Sequence, residues 1–136
     1  MAKTLKLQII TPDATVYDED VEIVMLPSVG GQIGILPHHV RLMTVMVRGE
    51  MIVRKDGRAH FMAVGEGLVD VSGDRVSILT DMAIAVENID EARAQEARQR
   101  AEAQLRDKLS AEEVASVNAA LARSTTQLRV KRHRRV

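Results

Sequence analysis

Histidines and a glycine-rich segment are the residues of this sequence whose types could support chemistry. His38 and His39 are adjacent, and neighbouring residues on a strand point to opposite faces, so the pair is poorly placed to bind one metal ion. Neither His60 nor His133 completes a His-Glu-x-x-His spacing. Segment 30–34, Gly-Gly-Gln-Ile-Gly, is not followed by the Gly-Lys-Ser/Thr of a phosphate-binding loop, so we interpret its glycines as turn residues. We therefore predict neither a metal site nor a catalytic pair.

Consecutive acids at Asp18-Glu19-Asp20 could also bind a cation, because hard cations prefer carboxylate ligands. These acids lie between two strand-like segments, and we predict a solvated turn there instead. The chain contains no cysteine, which excludes disulfides and thiolate metal sites. The residues themselves thus predict no enzyme chemistry.

Basic residues are concentrated at the end of a chain whose formal net charge is zero. Residues 1–89 carry 8 Lys+Arg against 12 Asp+Glu, a net of −4, and residues 90–136 carry 11 against 7, a net of +4. This asymmetry predicts an anionic partner, whether protein, nucleic acid or lipid. Tyr17 and Phe61 are the only aromatic residues that could stack on bases, which weakens without removing the alternative of a free nucleic-acid-binding protein with a basic arm. The basic cluster consists of Arg123, Arg129, Lys131, Arg132, Arg134 and Arg135.

Short apolar and β-branched runs separated by turn residues extend from Leu5 to about Val86. The first run, residues 5–9, alternates strictly between apolar and polar residues, which is typical of a strand with one buried face. Many short strands with even turn spacing predict an antiparallel sandwich or barrel. The predicted strands are 5–9, 21–26, 32–36, 42–47, 51–53, 60–64, 68–71 and 75–79.

The period changes near Asn88 to that of a helix. Ala94, Ala97, Ala101 and Leu105 share one face of a predicted helix from about residue 90 to 107. Ser110-Ala111-Glu112-Glu113 predicts a capping box that opens a second helix, whose apolar stripe is Val114, Val117, Leu121 and Leu128. Because alanine methyls contribute little burial energy, we infer that the first helix can be displaced by a competing partner at modest cost.

The ends of the chain and its apolar runs bear on its location. The N-terminus lacks the basic flank and apolar stretch of a secretory signal, and no apolar run approaches the roughly 18–20 residues that cross a bilayer. We therefore expect a cytoplasmic chain that meets a membrane only through a partner.

Residues 31–42, Gly-Gln-Ile-Gly-Ile-Leu-Pro-His-His-Val-Arg-Leu, resemble the Gly-x-x-Gly-Ile-Leu-Pro-x-His-x-Pro-Leu segment of F-type ATP synthase epsilon subunits, with Arg41 where that family usually has proline. Segments 65–71 and 76–81 resemble the last two strands of that family, and 89–94 fits its Ile/Leu-Asp-x-x-Arg-Ala signature. The likeness resumes at 127–130, so it covers nearly the whole chain in order.

This resemblance implies an α+β fold, with an N-terminal antiparallel β-sandwich of about ten strands in residues 1–87 and a C-terminal two-helix hairpin in residues 88–136. It implies a non-catalytic central-stalk subunit of a proton-translocating ATP synthase, peripheral at the cytoplasmic face of the cell membrane. The sandwich would bind the gamma subunit and the ring of c subunits. By the same resemblance, the Gly30-Gly31-Gln32 turn would face the ring, and His39 and Arg41 would lie near gamma.

The hairpin, by the same resemblance, is a regulatory arm that inhibits ATP hydrolysis. The basic cluster would contact the alpha and beta subunits. No cofactor is required, although some relatives bind a regulatory ATP through residues that correspond here to Ile89, Asp90, Arg93, Ala94 and Arg100. Gln127 stands where those relatives tend to have arginine, and a missing guanidinium removes a bidentate phosphate contact. A helix N-cap at Asp90 and a solvated Arg93 remain the alternative interpretation.

Overall fold

A computed structural model describes residues 3–107 and 109–134. The chain divides into two compact units, Met1–Ala85 and Val86–Val136, which we call the β unit and the helical unit. Ten strands in the first and two packed helices in the second confirm the predicted fold class. The strands are β1 Leu5–Ile10, β2 Thr15–Val21, β3 Ile23–Ser28, β4 Gly31–Ile35, β5 His39–Met46, β6 Gly49–Lys55, β7 Arg58–Val64, β8 Gly67–Gly73, β9 Arg75–Thr80 and β10 Ala83–Ala85.

The strands of the β unit follow the order β10-β7-β6-β3-β5-β8-β9-β1-β2, with β4 paired to β3. Pairing is antiparallel except between β1 and β9, which run parallel. Leu7 and Ile9 of β1 belong to the same buried cluster as Met51 and Val53 of β6, so the two halves of the sheet face each other across one core. Period-2 alternation puts one face of each strand into that core, as predicted for β1.

Residues 15–28 form two strands that belong to different halves of the sheet. β2 pairs with β1, whereas β3 pairs with β6, and the chain passes between them at Glu22, whose N–H donates to the Arg54 carbonyl oxygen at 2.8 Å. The predicted strand 21–26 was therefore wrong at its start. The prediction of a solvated turn at Asp18-Glu19-Asp20 was also wrong, because these residues lie within β2. All three acids are exposed to water, and β2 is the last strand in the sheet order.

The helical unit contains a 3₁₀ turn at Val86–Asn88 and two helices, α1 Glu91–Gln104 and α2 Ala111–His133. Asp90 caps α1, since its side chain accepts a hydrogen bond from the Arg93 N–H. Ser110 and Glu113 form the predicted capping box at the start of α2, with both hydrogen bonds at 3.2 Å. Within the described residues, neither helix has the length and apolar character needed to cross a membrane.

Small side chains fill much of the buried part of the helical unit. Ala94 and Ala101 are buried on α1, as the predicted alanine seam requires. Leu105, predicted on the same face, lies past the end of α1 and is 37% exposed, because the helix ends three residues before the predicted boundary. On α2 the buried residues are Ser124, Thr126, Leu128 and Val130.

Candidate interaction surfaces

Large apolar side chains face solvent on the outer side of β5, β8 and β9. Met43 and Val45 are 70% and 44% exposed, and Leu68 and Leu79 are 53% and 51% exposed. Val45 lies opposite Leu68, and Leu68 lies opposite Leu79, so these three residues form one row across three strands. Met43 precedes Val45 by two residues and therefore lies on the same side. We call these four residues the outward apolar patch, since contiguous exposed apolar side chains mark interaction sites.

The inner faces of the same strands hold this patch in place. Met46, Val69 and Ile78 alternate with patch residues along the chain and are buried in the core. Gly67 allows β8 and β9 to approach at this end, because a Cβ at that position would collide with the Leu79 carbonyl oxygen. The patch therefore rests on a rigid part of the sheet.

Sequence reasoning missed the outward apolar patch. The only signal was the run 42–47, Leu-Met-Thr-Val-Met-Val, which does not alternate and is apolar on both faces. A strand of that kind is buried on both sides, in its own fold or by a partner. The sequence does not specify which of the two faces is the outer one.

The outer side of these strands becomes polar away from the patch. Asp70 on β8 lies opposite both Met43 and Ser77, and further along Ser72 lies opposite Arg75. Arg41, exposed on β5, precedes Met43 by two residues. The surface thus changes from aliphatic at Val45 to basic at the other end of β5.

The predicted glycine turn connects β3 and β4. Gly30, Gly31 and Gln32 are exposed, and Gly31 has a φ of 114°, which a side chain would disfavour. The Ser28 hydroxyl donates to the Gly31 carbonyl oxygen at 2.6 Å and accepts from the Gly30 N–H at 3.3 Å, so the turn is well ordered. The N–H of Val29 donates to the Val45 carbonyl oxygen at 3.1 Å, which places this turn beside the patch.

His39 and Arg41 lie at the opposite end of β5 from the glycine turn. The turn bonds to Val45, which follows Arg41 by four residues and His39 by six, so at 3.4 Å per residue the two predicted contact groups are separated by roughly 14–20 Å along β5. His38 has a φ of 64° and donates its N–H to Asp74 Oδ1 at 2.8 Å. Its role is therefore to stabilise the turn that precedes β5. Within the described ranges, no three His, Asp or Glu residues are arranged to hold a metal ion.

Two of the acids of β2 form ion pairs with lysines, one on β1 and one on β6. Lys6 Nζ lies 3.3 Å from Asp18 Oδ1, and Lys55 Nζ donates to Glu19 Oε1. The hydrogen bond from Lys55 holds the pKa of Glu19 below its usual value, and the same bond raises the pKa of Lys55. Burial, together with the neighbouring Glu19 carboxylate, raises the pKa of Tyr17 to about 12. These two ion pairs therefore link β2 to β1 and to β6.

The residues of the Ile/Leu-Asp-x-x-Arg-Ala signature have structural roles at the start of α1. Asp90 Oδ1 accepts from the Arg93 N–H at 3.1 Å, and Ile89 and Ala94 are buried. The side chains of Arg93 and Arg100 are exposed, and a separation of seven residues, about two turns, places both on one face of α1. The N-cap interpretation of Asp90 is the one that this geometry supports directly.

The basic cluster at the end of the chain is partly engaged inside the helical unit. Lys131 Nζ donates to the Val86 carbonyl oxygen at 3.1 Å. Arg132 donates from Nε to Glu91 Oε1 at 3.1 Å and from Nη2 to Gln95 at 3.4 Å, which joins the end of α2 to the start of α1. Sequence reasoning did not foresee these bonds. Arg129 is exposed, Arg123 and Arg134 are half-buried, and Arg135 lies outside the described residues.

Family models match both units of the chain in order. Residues 4–86 match the family described as "ATP synthase, Delta/Epsilon chain, beta-sandwich domain", and residues 87–132 match "ATP synthase, Delta/Epsilon chain, long alpha-helix domain". The boundary between the two matches lies within the 3₁₀ turn that follows β10.

Similar structures occur in mitochondrial ATP synthases. A chain of the Euglena gracilis OSCP/F1/c-ring assembly superposes with a TM-score of 0.70 at 21% identity, covering 90% of this chain and 78% of that one. A chain of the Tetrahymena thermophila central stalk and c-ring superposes with a TM-score of 0.61 at 14% identity, covering 96% of both. At these identities the likeness shows the fold alone.

Relatives of higher identity are ATP synthase epsilon chains of bacteria. The Herpetosiphon aurantiacus chain is 41% identical over 131 residues, 96% of each chain. The Dehalococcoides mccartyi chain is 40% identical over 141 residues and covers both chains completely. The Bacillus subtilis chain is 43% identical over 103 residues, 76% of this chain and 78% of that one. Because both units match the same family and the identity extends along the whole length, the chain belongs to the ATP synthase epsilon chain family and is a non-catalytic subunit.

Proposed function

We propose that the chain is a rotor subunit in the central stalk of a proton-translocating F-type ATP synthase. The β unit binds the gamma subunit and the ring of c subunits, and the complex holds the chain at the cytoplasmic face of the cell membrane. The outward apolar patch carries this proposal, because burial in an interface is the physical explanation for a row of exposed aliphatic side chains on a well-packed sheet. The fold neighbours in F1, central-stalk and c-ring assemblies support the choice of partners.

Contacts with two partners are supported by the separation along β5. His39, Arg41 and the outward apolar patch would meet gamma, and the Gly30-Gly31-Gln32 turn would meet the c-ring. His39 lies six residues, about 20 Å, along β5 from Val45, whose carbonyl oxygen bonds to the turn, so gamma and the c-ring can meet adjoining parts of one β unit.

The anchoring is tested with a pair of matched variants. Val45 in the patch and Val16 on β2 are the same residue type and are both 44% exposed. We expect Val45→Asp to weaken binding to purified gamma at least tenfold, because the complex would bury an unpaired charge, and Val16→Asp to leave the affinity unchanged. Thermal melts of both variants check that each is folded. Equal affinities of the two variants would exclude the patch from the gamma interface.

The helical unit is the inhibitory arm in this proposal. Its interior of small side chains and the hydrogen bonds of Lys131 and Arg132 stabilise a closed hairpin by contacts that are individually weak. A competing surface of the alpha and beta subunits could then release the basic cluster. With Lys131 and Arg132 engaged internally, a smaller basic surface remains for the alternative partner, nucleic acid.

ATP hydrolysis by the reconstituted catalytic head tests the arm. We expect a version ending at Glu87 to raise hydrolysis relative to the full chain while it still binds gamma. If hydrolysis is unchanged although both versions bind gamma, the inhibitory role is wrong and the anchoring is not affected. If neither version binds gamma but the full chain binds DNA with steep salt dependence, the alternative function replaces the rotor proposal.

A regulatory ATP is the finer part of this proposal, with Ile89, Asp90, Arg93, Ala94 and Arg100 as its site. Exposed Arg93 and Arg100 on one face of α1 are suited to phosphate oxygens, whereas Asp90 is already engaged as an N-cap. Equilibrium dialysis with ATP is the test. We expect Arg93→Gln and Arg100→Gln each to weaken binding, with Arg129→Gln as the control. No binding by the unaltered chain at millimolar ATP would refute the site.

A further inference from the structure

One oxygen of a carboxylate next to the outward apolar patch has no hydrogen-bond partner among the described residues. Asp70 occupies the outer side of β8, opposite Met43 on β5 and Ser77 on β9. Its Oδ1 atom is shielded from solvent and accepts no hydrogen bond from any described residue. Met43 has no donor to offer, and the Ser77 hydroxyl is not directed at this atom.

Such an oxygen is unusual because buried polar atoms in native proteins nearly always have partners. A shielded carboxylate oxygen without a donor lowers the stability of the fold that contains it, and more so when the group is charged. The nearby Arg75 does not correct this: it lies opposite Ser72, further along the outer side, and donates no hydrogen bond to Asp70 Oδ1. The packing of the described residues therefore supplies no hydrogen-bond donor for this oxygen.

We propose that Asp70 is the polar recognition residue of the surface that docks the partner, and that the partner presents a lysine or an arginine to it. This inference rests on the docking of gamma at the outward apolar patch proposed above. An entirely apolar partner surface would cover Asp70 and leave it unpaired, so the surface selects a partner with one donor among aliphatic contacts. Aliphatic neighbours would exclude water from the resulting charge-assisted hydrogen bond and so strengthen it.

The variant Asp70→Asn distinguishes a role of Asp70 in binding gamma from a role in the stability of the fold. Asparagine has nearly the same shape and removes the charge, so we expect the free subunit to unfold at an equal or higher urea concentration. Binding to gamma should weaken about tenfold or more, and the affinity should become less dependent on salt concentration. Opposite effects on stability and on binding would not follow from a purely structural role for Asp70.

Two other variants, Asp18→Asn and Val45→Asp, distinguish a failure of this inference from a failure of the proposed docking surface. Asp18→Asn removes one negative charge from β2, outside the patch, and should change neither the affinity nor its salt dependence. If Val45→Asp weakens binding and Asp70→Asn does not, the docking surface stands and the role of Asp70 is refuted. If neither variant weakens binding, both proposals fail. A structure of the complex in which water alone contacts Asp70 Oδ1 would also refute the inference.

Discussion

The two units of the chain differ in what they bury. The β unit encloses aliphatic side chains that are wholly inaccessible, among them Leu7, Ile9 and Ile78. The helical unit buries Ala94, Ala101, Ser124 and Thr126 alongside Leu128 and Val130. A buried large aliphatic side chain contributes about 1.5–3 kcal/mol and a methyl group about 0.8 kcal/mol, so the contribution of each buried side chain differs by about two- to fourfold.

Polar contacts contribute to the packing of the two helices. The helical unit depends on hydrogen bonds from Lys131 and Arg132, and its Arg98 Nε is buried without a hydrogen bond, 3.9 Å from Glu102 Oε1. Exposed ion pairs are weak and are screened by salt. The two units are therefore built from different kinds of contact, which agrees with the proposed roles of a rigid anchor and a releasable arm.

The largest expected effect is the loss of a core side chain of the β unit. Ile78→Ala removes a fully buried side chain and should lower the free energy of unfolding by about 2–5 kcal/mol in urea titrations. Leu79→Ala, one residue later and facing solvent, should cost less than about 1 kcal/mol. Equal losses of unfolding free energy in the two variants would contradict the burial of Ile78 and the exposure of Leu79.

The single tyrosine of the chain reports on the acidic strand of the β unit. Its phenolate absorbance should titrate near pH 12, and Glu19→Gln should lower the midpoint without restoring the usual value, because burial is the larger cause of the raised pKa. The folded pKa of Tyr17 is raised, so its contribution to stability is complete below about pH 10 and is lost as the pH rises towards 12. A midpoint near 10 in the native protein, with circular dichroism showing that the fold is intact, would contradict this.

The capping box of α2 provides a test of the weaker unit. Ser110→Ala removes the acceptor for the Glu113 N–H and should destabilise the helix by about 1 kcal/mol, which is roughly fivefold faster amide exchange in its first turn. Ser116→Ala, at an exposed position inside α2, is the control and should leave exchange the same or slower, since alanine favours helices. Faster exchange in both variants would point to a general effect of losing serine.

The smallest effect is expected at the bond between the two helices. Arg132→Gln should raise amide exchange around residues 91–95 by no more than about fivefold, as exposed ion pairs contribute about 0.2–1 kcal/mol. High salt should have the same effect on the unaltered chain without changing exchange in the β core. Arg129→Gln should do nothing, and a response of the β core to salt would remove the proposed contrast.

Much of the fold could be predicted because local physics decides it. Alternation in residues 5–9 follows from the two faces of β1, and the spacing of Ser110 and Glu113 follows from hydrogen bonds that close within one turn. The short strand β10 was missed, since three residues carry too little pattern. The strand character of Asp18-Glu19-Asp20 was missed because pairing at a sheet edge permits acids that the β propensity scale disfavours.

Interaction residues were harder to predict than elements. Which face of β5 is the outer one depends on pairing with β3 and β8, which are far away in sequence. The internal bonds of Lys131 and Arg132 likewise depend on how α2 returns along α1, whereas the sequence shows only a run of cations. The resemblance supplied the identity of the chain, and its placement of contact residues stays a prediction.

The unpaired Oδ1 of Asp70 also affects how the free subunit behaves before it is assembled with its partners. A free subunit exposes an aliphatic row that a second copy could cover. Two copies meeting through this row would each cover Asp70 with aliphatic side chains that offer no hydrogen-bond donor, which disfavours association. Surplus chains are therefore expected to stay monomeric, so that this surface remains available for assembly.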